Sequence, residues 1–442
     1  MTTEVVSRDR DGAGRGPPRE ELRTFGLSNG ARLFVYPTER FKTSVVNILL
    51  RRPLDTDTAA AALLPFVLRR GTRRLPDMAA IARRLEHLFG ASLEVDVTRL
   101  GETQVLMLRA EVVEDRYLFM GGRGLLAQVF ALLRDVLFDP ALEGECFAER
   151  VFVQERLNLR RFVEGLSNDK TRYAFDRCVR LMCEGEPYAR IEYGDPEEIE
   201  AVGPSDLLRI WREVRDRASA EVYVVTSTDP PEVLDMAEEC LHGLGSARPD
   251  PPDAGEAARR PRRIRRVRET AEVTQARMVM GYRSPRCVGR PSYPLAVWNT
   301  VFGGAPYSRL FREVRERASL AYYCSSSVDH LKGVAFVQAG IEAGAAPRVE
   351  RIVGRQLADL RAGRIAEEEL ENAKEHLRGE VLGCADSPSR IAGFLIEQQA
   401  LGGVWSFAEA VAEIGRVTIA EVVDASREIR PDMVYLLAEG GR

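Results

Sequence analysis

Histidine is the residue type in this chain best suited to bind a transition metal, and it occurs at four positions: His87, His242, His330 and His376. A zinc-peptidase helix needs two histidines and a glutamate spaced to share one helical face. Glu86–His87 and Glu375–His376 each supply the last two residues of the inverted pattern H-x-x-E-H. The first histidine of that pattern is replaced by Arg83 in one case and by Asn372 in the other. Neither dipeptide is therefore predicted to form a zinc site.

A nucleophilic serine is suggested by "GLSNG", residues 26–30, which has the G-x-S-x-G form of a nucleophile elbow. That elbow needs a strand before the serine and a helix after it. Here Asn29–Gly30 favours a two-residue hairpin turn, and the "ARLFVYP" that follows is strand-like. Ser28 is therefore expected to be a turn residue rather than a nucleophile.

The seven cysteines are scattered, and no C-x-x-C occurs. An odd number without a spacing pattern indicates thiols of a reducing compartment rather than a disulfide framework or a zinc knuckle. Cys178 and Cys183 are expected to be core residues. Because phosphate-binding and dinucleotide-binding glycine motifs are also absent from the sequence, residue chemistry alone predicts no assembled catalytic site.

The elements that would position these side chains follow an order that occurs twice. In the first half, a hairpin around Asn29–Gly30 and the strand "TSVVNILLRR" precede two helices, the alternating strands "ASLEVDVT" and "TQVLMLRAEVV", several helices and "AEVYVVTST". In the second half, "QARMVMGYRSP", a helix, two strands, helices and "DMVYLLAEG" repeat this order. The pattern predicts an α+β protein of two similar halves, each a largely antiparallel sheet with helices packed on one face.

Composition shifts indicate the boundaries of these halves. Residues 1–20 are charged and rich in glycine and proline without an apolar stretch, so a disordered leader is expected rather than a signal peptide. Residues 246–268 hold four prolines and many arginines, and they are expected to be a solvated linker. The first domain is therefore assigned to residues 21–245 and the second to residues 269–442.

Overall composition limits the classes of function. A hydrophobic fraction of 45% and a charged fraction of 29% are typical of a globular protein. The net charge of −4 gives no general attraction to nucleic acid, and the arginines of the linker have no aromatic residues among them. Since no apolar stretch reaches membrane-spanning length, a cytoplasmic protein that binds neither nucleic acid nor membrane is expected.

Several segments, taken in order, resemble the pitrilysin/insulinase family of zinc metallopeptidases, which includes the mitochondrial processing peptidases. They are "LSNGARLFVYP", the helix ending in Gly71–Thr72, "LEHLFGASLEVDV", "EPYARIEYGDPEEIEAV" and "FGGAPYSRLFREVRERASLAYY". The resemblance covers nearly the whole chain and implies a processing-peptidase-like fold. Within the family, "LSNDKTRYAFDRCVRLMCEGEPY" is similar to a non-catalytic bacterial type, the YmfF-type proteins, labelled as associated with the 5-aminopentanol modification of elongation factor P.

The family carries H-x-x-E-H on the helix just before Gly-Thr. Counting back from Gly71, its two histidines fall at Ala62 and Phe66 and its glutamate falls at Pro65. Pro65 is also expected to distort an uninterrupted helix. Glu155 is a candidate remnant of the third ligand, but one carboxylate does not make a zinc site. The resemblance therefore implies a chain that is not an enzyme on its own and that holds no metal or other cofactor.

Two residues of the second half match a functional pair of the family. Arg315 and Tyr322 have the spacing of an arginine and a tyrosine that reach the substrate carbonyl at the zinc of another half. The resemblance implies that they act in trans on a paralogous active subunit that carries H-x-x-E-H and its zinc. It also places peptide binding on the edge strand that contains Ser92, Leu93, Glu94 and Val95, with a peptide or unfolded polypeptide as the substrate.

Two alternatives remain open at this point. One is a purely structural assembly protein, and the other is a peptide-binding or modification-pathway scaffold without a role in proteolysis. The leading hypothesis is a non-catalytic subunit that completes the chamber of a heteromeric zinc peptidase.

Overall fold

The computed structural model describes residues 21–440 apart from 56, 120–123, 246–260, 262, 288, 290, 291, 404 and 405. The leader expected at 1–20 and most of the linker expected at 246–268 lie outside these described residues. Residues 265–268, which were expected in the linker, instead belong to a strand, Arg265–Thr270. The reason is the alternation in "RRVRET", which turns every second side chain toward the protein and lets the segment pair with the last strand of the chain.

The first half contains eight strands among its described residues: β1 (Arg23–Gly26), β2 (Arg32–Pro37), β3 (Thr43–Pro53), β4 (Ser92–Leu100), β5 (Thr103–Val113), β6 (Leu142–Glu143), β7 (Cys146–Phe147) and β8 (Ser219–Thr226). Its helices are α1 (Thr58–Leu68), α2 (Met78–His87), α3 (Leu125–Phe138), α4 (Glu149–Leu166), α5 (Lys170–Met182), α6 (Pro196–Ala201), α7 (Pro204–Arg217) and α8 (Pro230–Leu241). Short 3-10 turns occupy Asp115–Tyr117 and Pro187–Ala189.

The second half contains β9 (Arg265–Thr270), β10 (Ala276–Arg283), β11 (Ala321–Asp329), β12 (Val334–Ile341) and β13 (Arg430–Ala438). Its helices are α9 (Tyr293–Asn299), α10 (Ala346–Arg361), α11 (Glu367–Cys384), α12 (Pro388–Ala400), α13 (Phe407–Arg416) and α14 (Ile419–Glu428). Two π-helical segments, Thr300–Gly304 and Phe311–Arg317, and one 3-10 turn, Ala343–Ala345, complete it.

The two sheets share one topology. The first has the order β1-β2-β8-β3-β5-β4, and the second has the order β11-β12-β10-β13-β9. Without β1, the first order is β2-β8-β3-β5-β4. The second order read backwards is β9-β13-β10-β12-β11, so each strand of one sheet has a counterpart at the same position in the other. The pairs β2/β8 and β13/β9 are parallel, whereas the other neighbours within these two sheets are antiparallel. The predicted α+β fold with two similar halves is thus confirmed.

Each sheet is covered on one face by helices of its own half, as expected. Helices α1, α3 and α8 pack on the first sheet, and α9 packs on β11. The other face was not foreseen, because it is covered by a helix from the opposite half. Helix α12 packs on β3 and β8, and α5 packs on β10 and β13. This reciprocal exchange buries Phe34 and Tyr223, whose rings stack with centroids 4.7 Å apart, in the core of the second half.

No helix in the described part of the chain is both long enough and apolar enough to cross a bilayer.

Candidate functional site

Helix α1 carries the three positions at which the family motif would place its ligands and base. It forms because alanine and leucine favour helix and because each of its side chains except that of Phe66 is buried. Pro65 removes one backbone donor but does not end the helix, which continues to Leu68. Helix α1 is therefore not interrupted at Pro65, where a distortion was expected. Ala62, Pro65 and Phe66 present only hydrocarbon, which can neither ligate a metal nor accept a proton.

Glu155, the candidate third ligand, lies on α4, which packs against α1. Its side chain is 4% exposed, and its Oε1 accepts a hydrogen bond from Nε of Arg70 over 2.6 Å and a second one from Nη2 of Arg70. Nδ2 of Asn158 donates to the same oxygen over 3.1 Å. A guanidinium therefore supplies the positive charge beside this buried carboxylate. Sequence reasoning missed Arg70, although a basic residue directly before Gly71–Thr72 was an available signal.

Zinc does not fit the side chains of this region. Three hydrocarbon positions and one carboxylate that is already paired with Arg70 cannot supply a tetrahedral ligand set. Among the residues that the structure describes, no group of three or more histidine, cysteine, aspartate or glutamate side chains could hold a metal ion. No step of a mechanism can therefore pass through a metal bound by this part of the chain.

The two Glu-His dipeptides have local roles on their helices. Nδ1 of the exposed His87 lies 2.6 Å from the carbonyl oxygen of Arg83, one turn earlier. Nε2 of His376 lies 3.5 Å from Oε1 of Glu380 on α11, and its ring meets that of Tyr307 edge-on. Both are ordinary helix-surface contacts.

Ser28 and the cysteine pair occupy the places that their sequence context predicts. Oγ of Ser28 donates to Glu238 over 2.7 Å from the turn between β1 and β2, so this hydroxyl faces a carboxylate rather than a base such as histidine. Cys178 and Cys183 are fully buried in the core. Burial raises the pKa of both thiols, to about 12 for Cys183, and this disfavours the reactive thiolate.

The predicted peptide-binding residues lie at a free sheet edge. Strand β4 pairs with β5 on one side, and no other strand within the described ranges pairs with its outer side. Ser92, Leu93, Glu94 and Val95 begin this strand, with Val95 facing the core and Glu94 exposed. The backbone N–H and C=O groups of such an edge can pair with an extended peptide. Glu94 and the exposed Asp96 place charges on the same strand, which discourages unspecific edge-to-edge association.

Arg315 and Tyr322 lie on two neighbouring elements of the second half. Arg315 is exposed on the π-helical segment Phe311–Arg317, with its guanidinium 4.6 Å from the ring centre of Phe311. Tyr322 is 76% exposed at a bulge near the start of β11, the edge strand of the second sheet. The π-helical segment packs against β11. Within the described part of the chain, neither side chain makes a hydrogen bond or an ion pair, so both are free to donate outward.

The connection between these two residues is held in an unusual conformation. Ser319 has φ +52°, in the left-handed region that favours glycine. The next amide, that of Leu320, donates back to the carbonyl of Val314 over 3.0 Å and closes the end of the helical segment. The geometry that a glycine would adopt is therefore kept by a serine, at some cost in backbone strain.

Known proteins resemble this chain over most of its length. Residues 202–377 match the family model described as the peptidase M16 inactive domain. The Bacillus subtilis protein named probable inactive metalloprotease YmfF is 30% identical over 414 residues, which cover 92% of this chain and 96% of that protein. A second protein of that species, named uncharacterized zinc protease YmxG, is 29% identical over 163 residues, or 36% of this chain and 39% of that one. The crystal structure of a conserved protein from Enterococcus faecalis V583 has the same fold, with a TM-score of 0.85 at 23% identity over 95% of this chain and 99% of that chain.

Proposed function

The chain belongs to the peptidase M16 family, the family indicated by its pitrilysin/insulinase motifs, as an inactive homologue, and from this premise we propose that it is the non-catalytic subunit of a heteromeric zinc peptidase. Its partner is a paralogous subunit that carries H-x-x-E-H and binds the zinc, so that this chain itself needs no cofactor. The two subunits together enclose the substrate chamber.

The exposure of Arg315 and Tyr322 is the observation that carries this proposal. A guanidinium and a phenol are suitable donors for a carbonyl oxygen that gains negative charge in a transition state. A tyrosine that is 76% exposed at an edge-strand bulge contributes little to the packing of its own chain. In the proposed complex, both side chains reach the substrate carbonyl at the zinc of the partner.

The free edge of β4 supports the second part of the proposal, which is peptide binding. Ser92 to Val95 provide main-chain groups that pair with an extended substrate largely independently of its sequence. Seven free cysteines, five of them buried, are consistent with a reducing compartment, and we place the complex in the cytoplasm. The resemblance of this one chain to both YmfF and the zinc protease YmxG of one bacterium supports a pairing of inactive and active paralogues.

The alternative is a structural or peptide-binding scaffold without a role in proteolysis. It is favoured by the pairing of Arg70 with Glu155, which occupies the one carboxylate that was a candidate metal ligand. A peptide-binding scaffold would also use the free edge of β4, so peptide binding alone does not separate it from the peptidase subunit.

Reconstitution with the H-x-x-E-H paralogue of the same cell separates the two functions. The subunits are purified apart and mixed, complex formation is measured by light scattering, and cleavage of a quenched peptide library is followed. We expect a stable complex whose activity far exceeds that of the paralogue alone. A paralogue that is fully active alone, with no gain from this chain, would overturn the proposal and favour the scaffold.

A further inference from the structure

A cavity of about 420 Å³ opens between the two halves, where the β4–β5 turn, the β11–β12 turn and helix α12 meet. Its lining includes apolar side chains from all three elements, namely Leu100, Leu331, Ile396 and Leu401. The polar side chains in the lining are those of Arg99, Asp329, His330 and Glu397.

The two turns touch each other directly beside this cavity. A Cβ atom added to Gly101 would lie 3.2 Å from Cβ of Leu331, and Gly101 has φ +59°. Glycine is therefore needed for both the conformation and the close approach. The contact holds the β4–β5 and β11–β12 turns together, so the position of the cavity is set by both halves.

The α5 side of the same two turns is filled by side chains. Next to the same two turns, the segment that follows α5 fills the space with Tyr188, which is 2% exposed. Lys332 forms ion pairs there with Glu102 and with Glu186. On the side of helix α12, the counterpart of α5, the described residues leave the cavity open.

Two of the charged groups in the lining are satisfied within the protein. Nη1 of Arg99 donates to the carbonyls of Tyr188 and Arg190 over 2.9 and 3.1 Å, and its guanidinium stacks 3.9 Å from the Tyr188 ring centre. Asp329 accepts hydrogen bonds from the Tyr188 hydroxyl over 2.8 Å and from the Lys332 amide over 2.9 Å. Neither group needs a ligand to complete its contacts.

His330 adds no charge to the cavity. Its Nδ1 lies 3.5 Å from Sγ of Cys287, and burial lowers the pKa of the imidazole. Burial also raises the pKa of the Cys287 thiol. The two groups therefore face each other as a neutral pair rather than as a thiolate and an imidazolium.

Glu397 is the lining group whose charge is not compensated. Its side chain is accessible from within the cavity, and among the described residues it has no hydrogen-bond or ion-pair partner. Loss of solvation in the cleft, with a smaller contribution from the nearby Glu380, raises the pKa of this carboxyl. A carboxylate in such a place attracts a cation that enters the cavity.

We propose that this cavity binds the side chain of a lysine or arginine in a peptide held on β4, with Glu397 pairing with the cation; this inference rests on the proposed peptide binding. Lysine and arginine bury an aliphatic stem along apolar surface and keep a charged end for a polar partner. The apolar walls and the single free carboxylate provide both requirements. Arg99 and Leu100 end β4 and line the cavity, so the cavity lies at the end of the strand on which the peptide is proposed to bind.

Direct binding measurements test the proposal on the full chain. Fluorescein-labelled extended peptides that differ only in one central residue are titrated by fluorescence anisotropy; this residue is lysine or norleucine, which keeps the aliphatic stem but lacks the ammonium group. We expect the lysine peptide to bind about tenfold more tightly, as is typical of a charge-assisted contact. Glu397→Gln should abolish this difference while leaving the affinity for the norleucine peptide unchanged. Glu428→Gln, at an exposed glutamate that ends α14, is the matched control and should keep the difference.

A second variant tests the cavity by shape instead of charge. A Cβ atom added to Gly393 on α12 meets no atom within 4 Å, so Gly393→Leu fills the opening without disturbing the helix. It should weaken binding of the lysine peptide by about tenfold or more, because the stem and the cation are both excluded. Equal affinities for the two peptides, or a preference that survives Glu397→Gln, would overturn the basic-residue pocket but not peptide binding. Absence of binding by either peptide would overturn both.

Discussion

Arg70 and Glu155 form an ion pair with a buried carboxylate beside the helix on which the family carries its zinc motif. Nε of Arg70 lies 2.6 Å from Oε1 of Glu155, and the side chains are 29% and 4% exposed. The carboxylate is thus retained while its counter-charge comes from the protein. An arginine in this place excludes a second cation by repulsion and satisfies an oxygen that would otherwise be buried without a partner.

Loss of the arginine should destabilise the fold. Arg70→Met leaves the Glu155 carboxylate buried and uncompensated, and we expect a loss of about 2–3 kcal/mol in the free energy of unfolding, measured in urea. The double variant Arg70→Met/Glu155→Leu should recover most of this loss, because it leaves no buried charge. Arg73→Met, at an arginine that is 81% exposed in its pair with Asp139, is the control and should change stability by less than about 0.5 kcal/mol. A neutral Arg70→Met would show that the pair does not compensate a buried charge.

Zinc content follows from the same chemistry. We expect the tag-free chain to retain far less than one zinc per molecule after dialysis and to cleave no peptide, because Ala62, Pro65 and Phe66 cannot ligate or act as a base. Elemental analysis measures the metal, and the H-x-x-E-H paralogue purified in parallel is the positive control. One tightly retained zinc per chain would contradict this expectation.

Arg315 and Tyr322 should affect catalysis without affecting folding. In the reconstituted pair, Arg315→Ala or Tyr322→Phe is expected to lower kcat by about a hundredfold to a thousandfold, as for other donors to a developing oxyanion. The Tm and the zinc content of the complex should stay the same, since both side chains are exposed. Arg317→Ala, two residues from Arg315 and paired with Glu313, is the matched control. Full activity in both test variants would favour the scaffold.

The strained connection at Ser319 offers a stability test. Ser319→Gly should raise the free energy of unfolding by about 0.5–1 kcal/mol, because glycine adopts φ +52° without the clash of a Cβ atom. Ser319→Ala keeps the Cβ atom and should give no gain. Chemical denaturation of the three proteins compares them directly, and equal stability of the glycine and serine forms would rule out strain at this position.

Glu397 should make stability depend on pH. The pKa of the Glu397 carboxyl is raised in the folded chain, so the fold favours the protonated form. The carboxyl therefore costs no stability at a pH below its unfolded pKa, and it lowers the free energy of unfolding as the pH rises through the folded pKa. Glu380 and Cys384 interact electrostatically with it, and Arg99, Asp329 and His330 line the same cavity. Glu397→Gln should therefore raise the Tm at neutral pH, with a gain that disappears in mild acid. A Tm difference that is the same at both pH values would contradict the raised pKa.

Much of the fold was accessible from local sequence. The turn at Asn29–Gly30, the alternating strands β4 and β5, and the repeated order of elements all depend on residues close together in the chain. The loss of the metal motif was also predictable from sequence, because the hydrocarbon side chains of Ala62, Pro65 and Phe66 can neither bind a metal nor act as a base. Residues 265–268 were misassigned because their arginines mask the alternation that places them in β9.

By itself, then, the sequence determined the fold class, the two similar halves and the absence of a metal ligand set on α1. Only the tertiary structure decided how the remaining groups are used, because their contacts join distant parts of the chain. Arg70 meets Glu155 across 85 positions of sequence, and Gly101 meets Leu331 across the two halves. The exchange of α5 and α12 between the sheets likewise follows from packing of apolar faces over long range, which periodicity within one helix does not reveal. The position of the cavity at Glu397 is set by that exchange, since α12 reaches the two turns by packing on the opposite sheet.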